Sequence, residues 1–236
     1  MQLFYDQHIT IDSKDHLIEP DESNHILRVL RKQIGDELYV TNGKGILFKT
    51  IITETTGKKC RIEVMDHQKE EQPSNGIHVA IAPTKSSDRF EYFLEKATEI
   101  GISEITPIIS QNSERKRLNL KRCHKIIESA MKQSQRVFLP KLNNLTTFEQ
   151  FLQNTDHSCG NFIAHCEEHR KTEFKAVVRQ CEKCCILIGP EGDFSPQEIE
   201  SALQLDYLPV SLGSKRLRTE TAGIHVCSIF AIKDIL

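Results

Sequence analysis

Two rhythms of apolar residues divide the chain. Up to about residue 65 the apolar positions come in short runs, and residues 2–5, 9–11, 37–40, 46–53 and 60–64 read as strands. Asn42-Gly43-Lys44-Gly45 reads as a turn between two of them, because glycine and asparagine tolerate positive φ. One helix interrupts the strands, from about Asp21 to Arg31, where Ile26, Leu27, Val29 and Leu30 make an apolar stripe. Residues 66–76 are polar, carry Pro73 and Gly76, and form the best linker candidate. Beyond them strands at 77–82, 104–109, 161–166, 184–188 and 207–210 alternate with helices at 88–100, 119–133, 168–179, 196–203 and 219–235. Asp88 with Glu91 has capping-box spacing, and Gly101 ends that helix. Such alternation implies a mostly parallel sheet covered on both faces, so the fold class is α/β with a small β-rich domain in front.

Composition narrows this picture. A chain of 236 residues is long for one domain and comfortable for two. With 38% hydrophobic and 27% charged residues, a packed core is within reach and disorder is not indicated. The formal net charge of −2 gives no whole-molecule attraction to nucleic acid, so a polyanion must be met by a local basic patch. The first residues lack the apolar core of a signal peptide, and no apolar run approaches the ~20 residues of a membrane helix. The eight cysteines therefore read as reduced thiols of a cytoplasmic protein. Only Cys181-x-x-Cys184-Cys185 has metal-like spacing; without a second pair, ordinary thiols are the better reading than a zinc site completed by His165 and Cys166.

Two segments near the C-terminus carry the chemistry. In Ile188-Gly189-Pro190-Glu191-Gly192-Asp193-Phe194-Ser195 an apolar strand runs into a glycine loop, then into a helix signalled by Ser195, Pro196 and Glu198. Glycines at the carboxyl end of a strand let backbone approach a ligand; the alternative is a tight turn with glycines for geometry alone. The loop is not a P-loop, because Asp193 and Phe194 stand where Lys and Ser or Thr are required, and no G-x-G-x-x-G occurs anywhere. In Leu212-Gly213-Ser214-Lys215-Arg216-Leu217-Arg218-Thr219-Glu220 three cations precede a helix for which Thr219 reads as N-cap. That arrangement suits a phosphate or carboxylate, although a solvated basic loop has the same composition.

GPEGDFS followed by LGSKRLRTETA resembles the signature of the ribosomal RNA small-subunit methyltransferase E family of the SPOUT superfamily. The resemblance extends to Asn24–Arg31 with Gly35-Asp36, to Asp88-Arg89-Phe90-Glu91, to Lys96–Gly101 and to Ala130–Arg136, and so spans nearly the whole chain. Asp193 departs from the pattern, where a third glycine is usual. The resemblance implies a PUA-like β-barrel RNA-binding domain over 1–72 and a SPOUT α/β domain with a trefoil knot over 73–236. It implies a homodimer that methylates N3 of one uridine in the 16S rRNA of the small ribosomal subunit with S-adenosyl-L-methionine. By the same resemblance the cofactor is held at Cys166, Ile188, Gly189, Glu191, Gly192, Leu212, Gly213, Leu217 and Thr219, and no metal or membrane is involved.

Uridine N3 carries a proton, so its methylation needs a base, or a cation beside a uracil carbonyl. Glu220 is the candidate base and Arg218 the candidate stabiliser; Glu220 also reads as an ordinary first-turn carboxylate. Arg28, Arg31, Arg115, Lys116 and Arg117 are candidate phosphate contacts, as against solvated surface. Gln133 and Arg136 read either as a helix C-terminal turn or as part of the target-base pocket. A non-catalytic rRNA-binding or ribosome-assembly protein is the rival function. A hydrolase of the G-x-S-x-G type is excluded by the absence of that motif.

Overall fold

The computed structural model describes residues 1–155, 160–167 and 170–233, and these divide into two compact units. The first comprises Met1–Gln72 with Glu128–Leu139; the second comprises Pro73–Ile127 with Pro140–Leu236.

In the first unit the elements are β1 (Leu3–Tyr5), β2 (Asp15–Leu17), α1 (Pro20–Asn24), β3 (Glu37–Thr41), β4 (Ile46–Thr56) and β5 (Lys59–Lys69). They build one sheet in the order β1-β3-β4-β5-β2, with β1 parallel to β3 and the other pairs antiparallel. The sheet is mixed and its two edges do not pair, so the closed barrel expected from the sequence is not formed. Its core is Phe4, Ile9, Ile26, Leu38, Val40, Phe48 and their neighbours.

Three local expectations change. Ile9 is buried but lies in a loop, because Asp6 turns the chain after β1: its Oδ1 accepts the His8 amide at 3.0 Å and its Oδ2 the Glu19 amide at 2.9 Å. The extra strand is β2 instead. Residues 66–69, taken as linker, extend β5, where they satisfy the backbone of Ile46–Lys49. The expected helix from Asp21 begins at Pro20, which suits a first helical position, but widens after Asn24 into a π turn over His25–Val29, with the Leu30 amide donating to the His25 carbonyl at 3.1 Å.

The second unit begins with β6 (Gly76–Ile81), α2 (Ser87–Ile100) and β7 (Glu104–Ile109). α3 (Leu120–Gln133) passes from this unit into the first at its midpoint. Then follow β8 (Lys141–Leu142), β9 (Thr146–Thr147), α4 (Phe148–Asn154), β10 (Gly160–Ala164), β11 (Thr172–Glu173), α5 (Phe174–Val177), β12 (Lys183–Ile188), α6 (Pro196–Leu203), β13 (Leu208–Ser211) and α7 (Thr219–Ala231). The sheet is parallel, in the order β11-β13-β10-β12-β6-β7-β8, with β9 added on β7.

Strand alternation sorts its two faces. Ala80, Ile163, Cys185 and Leu187 meet Phe148, Phe151, Ile199 and Ala202 of α4 and α6 on one face. α7 packs on β6, β12 and α2 on the other, where Gly223 sits against the Phe93 ring. The predicted helix over 168–179 shrinks to α5 and one 3₁₀ turn (Val178–Gln180); residues 168 and 169 and Cys159 lie outside the described residues. The Asp88–Glu91 capping box does not form. Ser86 holds the cap position without a side-chain bond, and Glu91 pairs with Arg122 instead. Among the described residues no helix is long and apolar enough to cross a membrane.

Candidate functional site

β10, β12 and β13 end level with one another: Ala164 is in register with both Ile188 and Val210. The loops leaving them therefore emerge side by side at the carboxyl edge of the sheet, where open α/β sheets bind ligands. Between them lies a cavity of about 570 Å³, within the range of small-molecule sites. Its wall is made of Ala164–Cys166 and Lys171, then Ile188–Glu191 and Asp193, then Val210–Thr219 with Ala222.

The middle loop is held from several directions. Ser195 and Glu198 form a capping box at the start of α6, and Glu198 Oε1 also accepts the Gln111 amide at 2.8 Å. Asn112 Nδ2 donates to the carbonyls of Gly192 and Asp193, each at 3.1 Å. The buried Thr219 hydroxyl donates to the Gly189 carbonyl at 3.0 Å. A Cβ on Gly189 would stand 3.2 Å from the Phe194 ring and backbone, a tight contact that a side chain there could make only if Phe194 shifted by a few tenths of an ångström. Asp193 is left-handed at φ 63, and its carboxylate accepts the Cys166 amide at 2.6 Å and the Phe194 amide at 2.8 Å.

The third loop is exposed and basic. Gly213 has φ 127, a conformation open to glycine, and Ser214, Lys215 and Arg216 are exposed. Arg216 reaches the Glu191 carbonyl at 3.3 Å, and Lys171 donates to the His165 carbonyl at 2.7 Å. Lys171, Lys215, Arg216 and Arg218 thus line the cavity, with Glu191 and Asp193 the acidic residues among the described lining, and α7 points its N-terminus at it. Cations beside a helix N-terminus favour an anionic group, while exposed backbone suits the edges of a heterocycle. Burial, and then the Asp193 carboxylate, raise the Cys166 thiol pKa above its ordinary value.

Of the residues singled out in the sequence, Cys166, Ile188, Gly189, Glu191, Leu212, Gly213, Leu217, Thr219 and Arg218 all line this cavity. Gly192 does not: it turns outward against Asn112. Thr219 is not the N-cap of α7; Arg218 holds that position, and the Thr219 hydroxyl goes to Gly189. Glu220 is not on the cavity wall. It is 8% exposed, its Oε1 stands 3.9 Å from Arg89 Nε, and its Oε2 is buried with no hydrogen-bond partner among the described residues.

The cationic candidates separate as well. Arg115 donates to the carbonyls of Thr84 and Lys85, so it braces a loop, whereas Lys116 and Arg117 are exposed. Arg28 and Arg31 are exposed in the first unit. Gln133 is exposed at the end of α3, and Arg136 is half-buried in the turn after it, where burial lowers its pKa. Neither lines the cavity. The sequence reading missed Lys171, which it assigned to a helix, and Asn112, whose role depends on contacts some 80 residues away. Among the described residues no group of three or more His, Cys, Asp or Glu is placed to hold a metal ion; Cys184 and Cys185 point to opposite faces of β12.

Known proteins share this arrangement. The RNA methyltransferase domain family matches residues 70–231, and the RNA methyltransferase PUA domain family matches residues 18–65. The ribosomal RNA small subunit methyltransferase E of Mesomycoplasma hyopneumoniae is 31% identical over 216 residues, covering 89% of this chain and 91% of that protein. The protein of the same name from Rickettsia conorii is 26% identical over 229 residues, covering 94% and 91%. Among solved structures, a Porphyromonas gingivalis protein described as a probable rRNA-methyltransferase aligns with a TM-score of 0.86 at 40% identity, covering 96% of this chain and 95% of that one. A Legionella pneumophila methyltransferase crystallised with its cofactor SAM aligns with a TM-score of 0.86 at 27% identity, covering 97% and 96%. A PUA-like domain ahead of an α/β methyltransferase domain, matched along nearly the full length, means that the chain belongs to the ribosomal RNA small-subunit methyltransferase E family of RNA methyltransferases.

Proposed function

We propose that this protein transfers a methyl group from S-adenosyl-L-methionine to N3 of a uridine in the 16S rRNA of the small ribosomal subunit. The observation that carries the reading is the cavity at the carboxyl ends of β10, β12 and β13, walled by backbone and closed by the N-terminus of α7. Its residues fit the cofactor. The loops at Cys166, Ile188–Glu191, Leu212–Gly213 and Leu217 offer backbone and apolar surface for an adenosine, and the cations around α7 suit the amino-acid carboxylate. When bound, S-adenosylmethionine supplies a methyl group on a sulfonium centre.

The chain's own residues have two tasks: taking the N3 proton and steadying the uracil anion it leaves. Arg218, exposed at the mouth of the cavity, is suited to the second. Glu220, the second residue of the same helix, is the candidate for the first: it lies behind the cavity wall, and its Oε2 has no hydrogen-bond partner among the described residues. Arg28, Arg31, Lys116 and Arg117 are available to phosphates; Arg115 positions the loop that presents its two neighbours, and Gln133 and Arg136 form a separate polar turn. The same reading makes the first 72 residues an RNA-holding domain and residues 73–236 a SPOUT domain, in a cytoplasmic homodimer. It also includes a trefoil knot. In support, the chain leaves β12 for β13 on the far side of β10 and then returns through α7 onto β6 and α2.

Nucleoside mass spectrometry of 16S rRNA from cells with and without the protein tests the reaction. Loss of N3-methyluridine on deletion, restored by the wild-type chain, is expected. Unchanged methylation with retained rRNA binding would favour the ribosome-assembly role instead. Arg218→Ala should lower single-turnover methylation about 100-fold or more while cofactor affinity stays within a few-fold. Glu220→Gln should fall comparably, and near-full methylation in either variant removes that residue from the mechanism.

A further inference from the structure

Asp193 is a non-glycine residue in the left-handed region, lodged in the cavity wall. That backbone conformation is strained for an ordinary side chain, and aspartate adopts it more readily than most. Glycine would meet the conformational need alone, so what the carboxylate adds is its bonding. One oxygen accepts the Phe194 amide in its own loop, and the other crosses 27 residues of sequence to accept the amide of Cys166. The first bond shapes the loop after β12. The second ties it to the loop after β10.

Among the described residues the other tethers of the Asp193 loop run to its outer side and to the third loop, where Thr219 holds the Gly189 carbonyl and Arg216 the Glu191 carbonyl, and none of them reaches the loop after β10. Asn112 takes the carbonyls of Gly192 and Asp193, and the Asp193 amide closes a turn onto the Pro190 carbonyl. Among the described residues the Cys166 amide has the Asp193 carboxylate as its partner, and Cys166 itself is exposed. Without the carboxylate, the chain leaving β10 would keep its parallel ladder as far as Ala164 and the Lys171 bond to the His165 carbonyl, and lose the bond that ties it to the loop after β12. Since both loops wall the same cavity, their separation fixes the cavity's width.

Resting on the reading of this cavity as the cofactor site, we infer that Asp193 is a positioning residue, a clamp that joins the two loops and preorganises the cavity for S-adenosylmethionine. A site held in its bound shape before the ligand arrives binds more tightly, because the ordering is not charged to the binding step. The clamp acts on loop geometry rather than on the ligand's charge, so it serves S-adenosylmethionine and S-adenosylhomocysteine alike.

Asp193→Gly separates backbone strain from bonding: it eases the left-handed conformation and removes both acceptors. Three readouts apply: calorimetric affinity for each of the two ligands, melting temperature without ligand, and hydrogen exchange of the segment containing Cys166. The clamp predicts affinity for both ligands lowered about tenfold to a hundredfold, faster exchange at the Cys166 amide, and a lowered melting temperature, because the two lost bonds outweigh the relieved backbone strain. Asp193→Asn, which keeps one acceptor and tolerates the same φ, should fall between and covers the case in which the glycine variant does not fold. Wild-type affinity retained within twofold in the glycine variant overturns the clamp, as does a loss confined to S-adenosylmethionine, which would assign the effect to charge on the sulfonium. Failure of the wild-type protein itself to bind either ligand removes the cofactor reading, and the clamp's purpose with it.

Discussion

Glu198 offers the strictest test of how the site is supported. Its side chain is 6% exposed; Oε1 accepts the Gln111 amide and Oε2 the Ser195 amide, both at 2.8 Å. Glu198→Ala removes two hydrogen bonds to a charged acceptor, each worth about 1.5–3 kcal/mol. Water can reach the exposed Gln111 and restore part of the first; the buried Ser195 amide has no such recourse. Ser195 still caps α6 from the other direction, so the helix start survives with half its box. The balance is a loss of about 2–4 kcal/mol. For a chain of this size that corresponds to a fall of about 5–15 °C in melting temperature. Glu198→Gln, which keeps one acceptor, should lose about half as much. The control is Glu200→Ala on the exposed side of the same helix, expected within about 0.5 kcal/mol of wild type. Urea and thermal unfolding followed by circular dichroism give the energies, and hydrogen exchange at Ser195 and Gln111 locates them. A Glu198→Ala loss below 1 kcal/mol, or one equal to that of Glu200→Ala, would refute the reasoning.

Two further outcomes follow from buried groups. Burial alone would raise the Asp6 pKa, but the His16 ring, 3.1 Å away, and the amides of His8 and Glu19 outweigh it and lower the pKa below 3.8. A depressed carboxylate pKa stabilises the fold above the unfolded value, and that contribution is lost as pH falls through the folded one. Denaturant unfolding between pH 6 and pH 2 should therefore show stability dropping below about pH 4, with a shallower slope in Asp6→Asn; equal slopes would exclude Asp6 as a source. Thr219→Val keeps the shape of a buried side chain and leaves the Gly189 carbonyl without its donor, at a cost of about 1–3 kcal/mol. Calorimetry should show weaker cofactor binding as well, and an unchanged melting temperature would mean that water replaces the hydroxyl.

The elements that proved legible are those whose signals are local. α6 starts where Ser195, Pro196 and Glu198 say it should, because a capping box is complete within four residues. β12 is equally plain; α7 begins at Thr219 as expected, but with Arg218 rather than Thr219 at the cap, because the Thr219 hydroxyl is taken by the Gly189 carbonyl. What was illegible depends on distant partners. Asp88 and Glu91 have capping spacing, yet an ion pair with Arg122, 31 residues on, takes Glu91 away. Residues 66–69 look like linker until the backbone of β4 needs a partner. Arg115 reads as a free cation, but its guanidinium is held by two carbonyls of another loop. Asp193 was legible as an irregularity and not as a clamp, because the Cys166 amide it holds is brought near only by the pairing of β10 with β12.

The tethers are distributed unevenly between the loops, and the unevenness follows from what each must do. Side chains from the β7 loop, from α6 and from α7 converge on the backbone between Gly189 and Ser195, and Asp193 extends the same framework to Cys166. A heterocycle recognised through backbone groups needs those groups fixed to within a fraction of an ångström, so rigidity belongs there. The loop from Gly213 to Arg218 carries the cations; its exposed residues from Gly213 to Arg216 are held by Ser211, itself beside the turn, and by the Arg216 contact with Glu191. Charges that meet a polyanion act over a Debye length of about 8 Å, tolerate imprecise placement, and gain from being able to follow the substrate. Tethered backbone beside exposed charge is therefore the division expected of a site that, on the proposed reading, takes one small ligand in a single pose and admits a large anionic one from solvent.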